Sequence, residues 1–136
     1  EIGTWALGAM KAAYSLGYMG GSNELGKLYA HPTATITRQE AMVILARTMQ
    51  ADTGSSVDLD KKFTDSAKIA DWAKDGVRAM YALGVTKGSY DGYGRLCFLP
   101  TATISRQEAL TMLGRLLELG YAAPEWSFTD SDAIAD

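Results

Sequence analysis

The chain has 136 residues, 47% of them hydrophobic, with a net charge of −3 and a pI near 5.1. That length can bury one core of ordinary size, while the acidic balance offers no basic stripe, so no nucleic-acid partner is expected. The single cysteine, Cys97, excludes an internal disulfide and a multi-cysteine metal site and is expected to be a small buried residue; the sequence holds no run of apolar residues that would insert in a membrane.

In chain order, the first predicted element is a helix from Trp5 to Leu16, with Trp5, Ala9, Ala12 and Leu16 on one face and Gly17 as terminator. A loop over 19–30, rich in glycine, leads to Thr37-Arg38-Gln39-Glu40. This is a capping box: the hydroxyl bonds the N3 amide and Glu40 reaches back to the N-cap amide. The helix it starts runs to about Gln50, and 51–62 reads as a linker. Phe63-Thr64-Asp65 then opens a second passage through the same order. A helix from Asp71 to Leu83 carries Trp72, Ala73, Val77, Met80 and Tyr81 on one face and ends at Gly84. The loop 86–99 follows, then the capping box Ser105-Arg106-Gln107-Glu108 and a helix ending near Gly120. Segment 121–127 reads as another linker, and Phe128 to Asp136 repeats the opener of Phe63 to Asp71.

The duplication is close. PTATITRQEA at 32–41 and PTATISRQEA at 100–109 differ only where Thr37 becomes Ser105. Such repetition makes the chain a set of copies of one supersecondary unit. The expected organisation is a first repeat over 1–50 without its opener, a complete repeat over 63–120, and the start of a third at 128–136. The fold class expected is all-α, built of tandem helix–loop–helix repeats. The missing initiator methionine and the incomplete first and third repeats suggest a piece of something longer.

The same turns carry the functional signal. Thr37, Glu40, Ser105 and Glu108 are explained as structural caps. Arg38 and Arg106 are not, because a cation at a helix N-terminus opposes the macrodipole. An anionic guest would bring the free N–H groups, the dipole and the guanidinium into agreement, so a carboxylate or phosphate is the expected ligand. Trp5 and Trp72 lead their helices, either as core residues or as faces for the apolar side of a sugar ring; Tyr29, Tyr90 and Tyr93 offer similar faces. Asp65 and Asp130 are caps or acceptors of sugar hydroxyls. His31 is the only histidine and has no partner at a fixed spacing, so no catalytic residue is assigned. The Asp91-Gly-Tyr-Gly stretch lacks the ligands of a calcium loop, and neither a metal nor a cofactor is expected.

Phe63-Thr-Asp, Ile69-Ala-Asp-Trp-Ala-Lys74, Leu83-Gly-Val, Lys87-Gly88, Phe98 before Pro100, and Ile104-Ser-Arg-Gln-Glu-Ala109 together resemble the S-layer homology domain. The resemblance implies a helical module, commonly three repeats about a pseudo-threefold axis, of which this chain would form a part. It also implies non-covalent anchoring of a surface protein to secondary cell-wall polysaccharide, often through a pyruvylated amino-sugar, hence a secreted, extracellular location at a bacterial wall. By motif position the ligand-binding residues implied are Arg38, Arg106, Trp5, Trp72, Asp65, Asp130, Lys87 and Gly88. Gln39 and Gln107 depart from the family's small residue, and Met19-Gly20 stands where the second copy has Lys87-Gly88. Two helix pairs would leave an apolar face open, to be covered by further repeats or in a homodimer. The alternative function is a protein–protein assembly scaffold made of the same repeats.

Overall fold

Two capping boxes fix where the second helix of each unit begins, and two glycines fix where the first one stops. The computed structural model describes residues 1–119; Asp130, the segment 121–127 and the third opener at 128–136 lie outside them. The first unit contains α1 (Thr4–Ser15), β1 (Ser22–Glu24), β2 (Lys27–Tyr29) and α2 (Arg38–Thr48). A short α3 (Leu59–Lys62) and a 3-10 turn (Ser66–Lys68) lead into α4 (Asp71–Ala82), β3 (Ser89–Tyr90), β4 (Leu96–Cys97) and α5 (Arg106–Leu116). Both boxes form as expected, with each N-cap hydroxyl accepting from the N3 amide and each Glu accepting from the N-cap amide. Gly17 and Gly84 take φ of 74° and 72° and close Schellman turns, with Tyr18 N–H reaching Ala13 O and Val85 N–H reaching Met80 O.

The fold is helix-rich, but it is not purely α. Each glycine-rich loop holds a small antiparallel hairpin, pairing Ser22 with Tyr29 and Ser89 with Cys97. Gly21 and Gly88 make these possible. Both have positive φ, and a Cβ there would lie 2.7 Å from Tyr29 O or 2.8 Å from Cys97 O. The hairpins also correct the alignment of the loops: Gly21 is the counterpart of Gly88, so Gly20 takes the place of Lys87. The stretch 51–62 is not all linker either, since Asp58 accepts from the Asp60 and Lys61 amides and starts α3.

The core joins the two units. α2 of the first packs on α4 of the second, the most extensive helix–helix contact among the described residues. Met42 and Ala46 from α2 meet Ala73, Val77 and Met80 from α4 in one buried cluster. Gly76 permits the close approach, because a Cβ there would sit 3.0 Å from Val43 Cα. Beneath it Phe63 packs edge-on against Tyr81, with ring centres 5.4 Å apart, and tilted against Phe98 at 5.5 Å. Cys97 is buried beside them, with Sγ 3.2 Å from Thr64 Oγ1. By contrast, α1 buries no residue.

Gly76→Val should therefore lower stability by about 1–3 kcal/mol through overpacking against the α2 backbone. Urea unfolding should show this as a lower midpoint; an unchanged midpoint would mean that α2 and α4 separate without cost. Phe98→Ala should cost more, about 3–5 kcal/mol.

Candidate functional site

An α-helix leaves its first N–H groups without partners, and the second unit supplies them to α2. Arg38 N–H donates to Ala102 O at 2.8 Å and Gln39 N–H to Pro100 O at 3.0 Å. Thr37 and Thr103 form an antiparallel bridge, and Ile104 N–H donates to Ile36 O at 3.3 Å. The Gln39 side chain in turn accepts from Ala70 N–H at 3.0 Å, at the start of α4. The α2 N-terminus is thus filled by protein, not left open to an anion.

Its guanidinium is committed as well. Arg38 is 8% exposed and hydrogen-bonds through Nη2 to Glu108 Oε1. Its Nε has no partner among the described residues, so burial of this cation depends on Glu108. Glu108 is a cap and a counterion at once: Oε2 accepts from Ser105 N–H at 2.8 Å and from Ser105 Oγ at 2.9 Å. The Ser105 backbone bond chiefly, then its hydroxyl and Arg38, hold the Glu108 carboxyl below its ordinary value of 4.5, against an opposing effect of desolvation.

The other residues named from sequence scatter. Asp65 does not cap the turn that follows it. Its two carboxylate oxygens accept from Phe98 N–H at 2.7 Å and Leu99 N–H at 2.8 Å, clamping the opener to the turn before α5. Gly88 lies against Phe63 and Cys97 as a backbone position. Trp5 is 91% exposed at the start of α1, near Gly3. Lys87 is exposed on the second loop, and Arg106 is exposed at the start of α5 with no partner among the described residues.

Trp72 is different. It is 57% exposed and lines a cleft of ≈ 510 Å³ between the first unit's loop, α2 and the start of α4. Gly20 and Gly21, the apolar Ile36, Val43 and Ile44, and the polar Tyr29, His31, Glu40 and Arg47 also line it. Tyr29 stacks on His31 with ring centres 5.8 Å apart, and His31 Nε2 is held by Ser22 Oγ at 2.7 Å and Glu24 Oε1 at 2.8 Å. Arg47 is exposed and without a partner among the described residues, whereas its counterpart Arg115 donates to Val85 O at 3.2 Å. A basic residue in a last helical turn already suits the macrodipole, so Arg47 carries no distinguishing signal in the sequence. An adjoining depression of ≈ 540 Å³ at Ile2 and Pro32 carries Glu1 and no arginine or lysine, which suits an acidic ligand less well.

Aromatic rings, apolar side chains and an unpaired cation thus line one cleft. The chain carries an S-layer homology domain, matched over residues 62–110. This is a non-catalytic anchoring domain. The Surface-layer 125 kDa protein of Lysinibacillus sphaericus is 30% identical over 94 residues, 69% of this chain and 8% of that protein. Amylopullulanase of Thermoanaerobacterium thermosulfurigenes is 30% identical over 87% of this chain and 6% of its own length. Endoglucanase of Bacillus sp. (strain KSM-635) is 26% identical over 83% and 12%. The chain therefore spans roughly a tenth of the length of these relatives. No solved structure matches. Among the described residues no helix is long and apolar enough to cross a membrane, and no group of three His, Cys, Asp or Glu side chains could hold a metal.

Two measurements test the Arg38–Glu108 pair. Glu108→Gln keeps a side chain able to serve a capping box but removes the charge. A cycle with Arg38→Ala should give a coupling on the order of 1–2 kcal/mol at neutral pH; a value near zero would show that the pair is decorative. Because the folded-state pKa of Glu108 lies below the unfolded one, its contribution is complete above about 4.5 and is lost as pH falls through the folded value. The stability gap between wild type and Glu108→Gln should accordingly close on acidification and stay constant from pH 6 to 8.

Proposed function

We propose that the chain is a non-catalytic cell-surface module that binds an acidic cell-wall polysaccharide in the cleft beside Trp72. The observation that carries this is the pairing, in one cleft, of a half-exposed Trp72 with an unpartnered Arg47. The indole offers a flat apolar surface to the C–H face of a sugar ring. Arg47 offers two parallel N–H donors to a carboxylate such as the pyruvyl ketal of an amino-sugar. Tyr29 supplies a second ring, and Gly20 and Gly21 let the ligand approach the backbone. In the second unit Arg106 and Lys87 are exposed cations that can meet an acidic group on their own side. Arg38, Asp65 and Gly88 serve this function indirectly, by fixing the turns and the helix pair that shape the cleft. The S-layer homology match supports an anchoring role and, with it, a location at the cell wall.

The chain should co-sediment with cell-wall sacculi and fail to do so with sacculi stripped of secondary polysaccharide. Trp72→Ala and Arg47→Ala should each weaken retention by about tenfold or more with helicity unchanged, and Tyr90→Ala should not. Equal binding to stripped sacculi would remove the polysaccharide from the proposal. Full retention of Arg47→Ala would remove the cleft.

A further inference from the structure

The cleft beside Trp72 holds the one histidine of the chain. His31 follows β2 with φ of 42°, and its side chain is 46% exposed. Its Nε2 atom lies 2.8 Å from Glu24 Oε1 and 2.7 Å from Ser22 Oγ, and Ser22 Oγ donates to the same carboxylate oxygen at 3.2 Å. An ionised carboxylate can only accept, so the proton of the neutral ring sits on Nε2 and is shared by Glu24 and Ser22 Oγ. That leaves Nδ1 without a proton, and it has no partner among the described residues. The Tyr29 ring, stacked with its centre 5.8 Å away, steadies the plane of the imidazole.

These bonds fix what the free nitrogen can do. In the neutral ring Nδ1 is an acceptor, which suits a sugar hydroxyl and repels a carboxylate. Once the ring is protonated, Nδ1 becomes a donor bearing positive charge, and the same atom suits a carboxylate. Imidazole is the side chain whose charge changes between about pH 5 and 8. The charged and titratable groups around it are Glu24 and the Lys27 opposite it in the hairpin, Tyr18 and Tyr29, Glu40 and Arg47 from α2, and Glu1 in the adjoining depression. From α4 the cleft receives only the uncharged Trp72. The second unit has nothing equivalent, since Cys97 and Leu99 stand in the places of Tyr29 and His31.

Given that this cleft takes an acidic sugar, as proposed above, we infer that His31 is a second contact for the sugar's carboxylate and makes retention pH-dependent. Arg47 attracts the acidic group at every pH, because a guanidinium is always charged. His31 adds a charged N–H donor when protonated and a lone pair when neutral. Ser22 and Glu24 are positioning residues: they hold the Nε2 proton, so the second proton enters at Nδ1, the atom left for the ligand. A ligand acid of the α-carboxyl kind, with a model value of about 3.3–3.7, stays ionised throughout. Binding therefore tightens as pH falls from 8 toward 5. The Arg38–Glu108 pair contributes equally at both ends of this range, being complete above about 4.5.

The 136-residue chain should bind sacculi carrying secondary polysaccharide about three to ten times more tightly at pH 5.5 than at pH 7.5. His31→Asn, which keeps a residue tolerant of positive φ, should bind equally at the two pH values. With polysaccharide released from those walls as a soluble probe, the imidazole Cε1–H resonance of the single histidine should titrate with its midpoint raised by about 0.5–1 pH unit, as reciprocity requires. Glu24→Gln should move the binding profile to lower pH, since the imidazolium loses its counterion. A pH-independent wild type, a His31→Asn chain with the wild-type ratio, an unshifted Glu24→Gln profile, or a midpoint that polysaccharide leaves unmoved would overturn the inference. Any of these, with binding still weakened in Trp72→Ala and Arg47→Ala, would leave the cleft standing. Absence of binding at both pH values would sink the cleft as the binding site, and this inference with it.

Discussion

The amides at the start of α2 need acceptors, and in this chain they find them on the other repeat. Pro100 O and Ala102 O take the Gln39 and Arg38 N–H groups, while Glu108 takes the Arg38 guanidinium. Buried backbone donors are costly to leave unmade, and a buried arginine is costlier still. Once these bonds form, the chain between α2 and α4 has little freedom left in how it crosses. Gln39 accepts from Ala70 at the start of α4, which brings Gly76 against Val43 and Trp72 to the edge of the cleft. The cleft is thus a by-product of how one repeat is stitched to the next.

Trp5 and Trp72 make the same point by contrast. They hold equivalent places in their repeats, at the start of α1 and of α4. Trp72 has α2 of the other unit beside it and forms a wall of the cleft; Trp5 has no such neighbour among the described residues and is almost wholly exposed. An aromatic ring becomes a sugar platform only when another surface turns it into one side of a groove.

Local signals in the sequence were legible. The Ser/Thr-Arg-Gln-Glu boxes and the glycines at 17 and 84 marked helix ends to within a few residues, since capping chemistry involves near neighbours in the chain. Non-local choices were not. Nothing in the periodicity of α2 says that its partner is α4 and not α1, because either helix offers a similar apolar face. The hairpins escaped because Ser22–Glu24 and Ser89–Tyr90 are too short for alternation to register. Arg38 shows the sharper limit: the electrostatic argument for an anion at its helix start was sound, but charge alone does not tell a sugar acid from Glu108. Asp65 was misread as a cap for a similar reason, the amides it accepts lying more than thirty positions away.

Because α2 and α4 come from different repeats, the period of the sequence and the period of the packed structure are out of step by half a unit. Each junction between successive repeats then contributes one such helix pair, so every repeat appended to an array brings one further core. Excising a single motif at its sequence boundaries would yield two helices that are not each other's partners. The smallest segment that keeps this core and the Arg38–Glu108 pair runs instead from the turn before α2 into the first turn of α5, a unit that straddles the junction of two motifs.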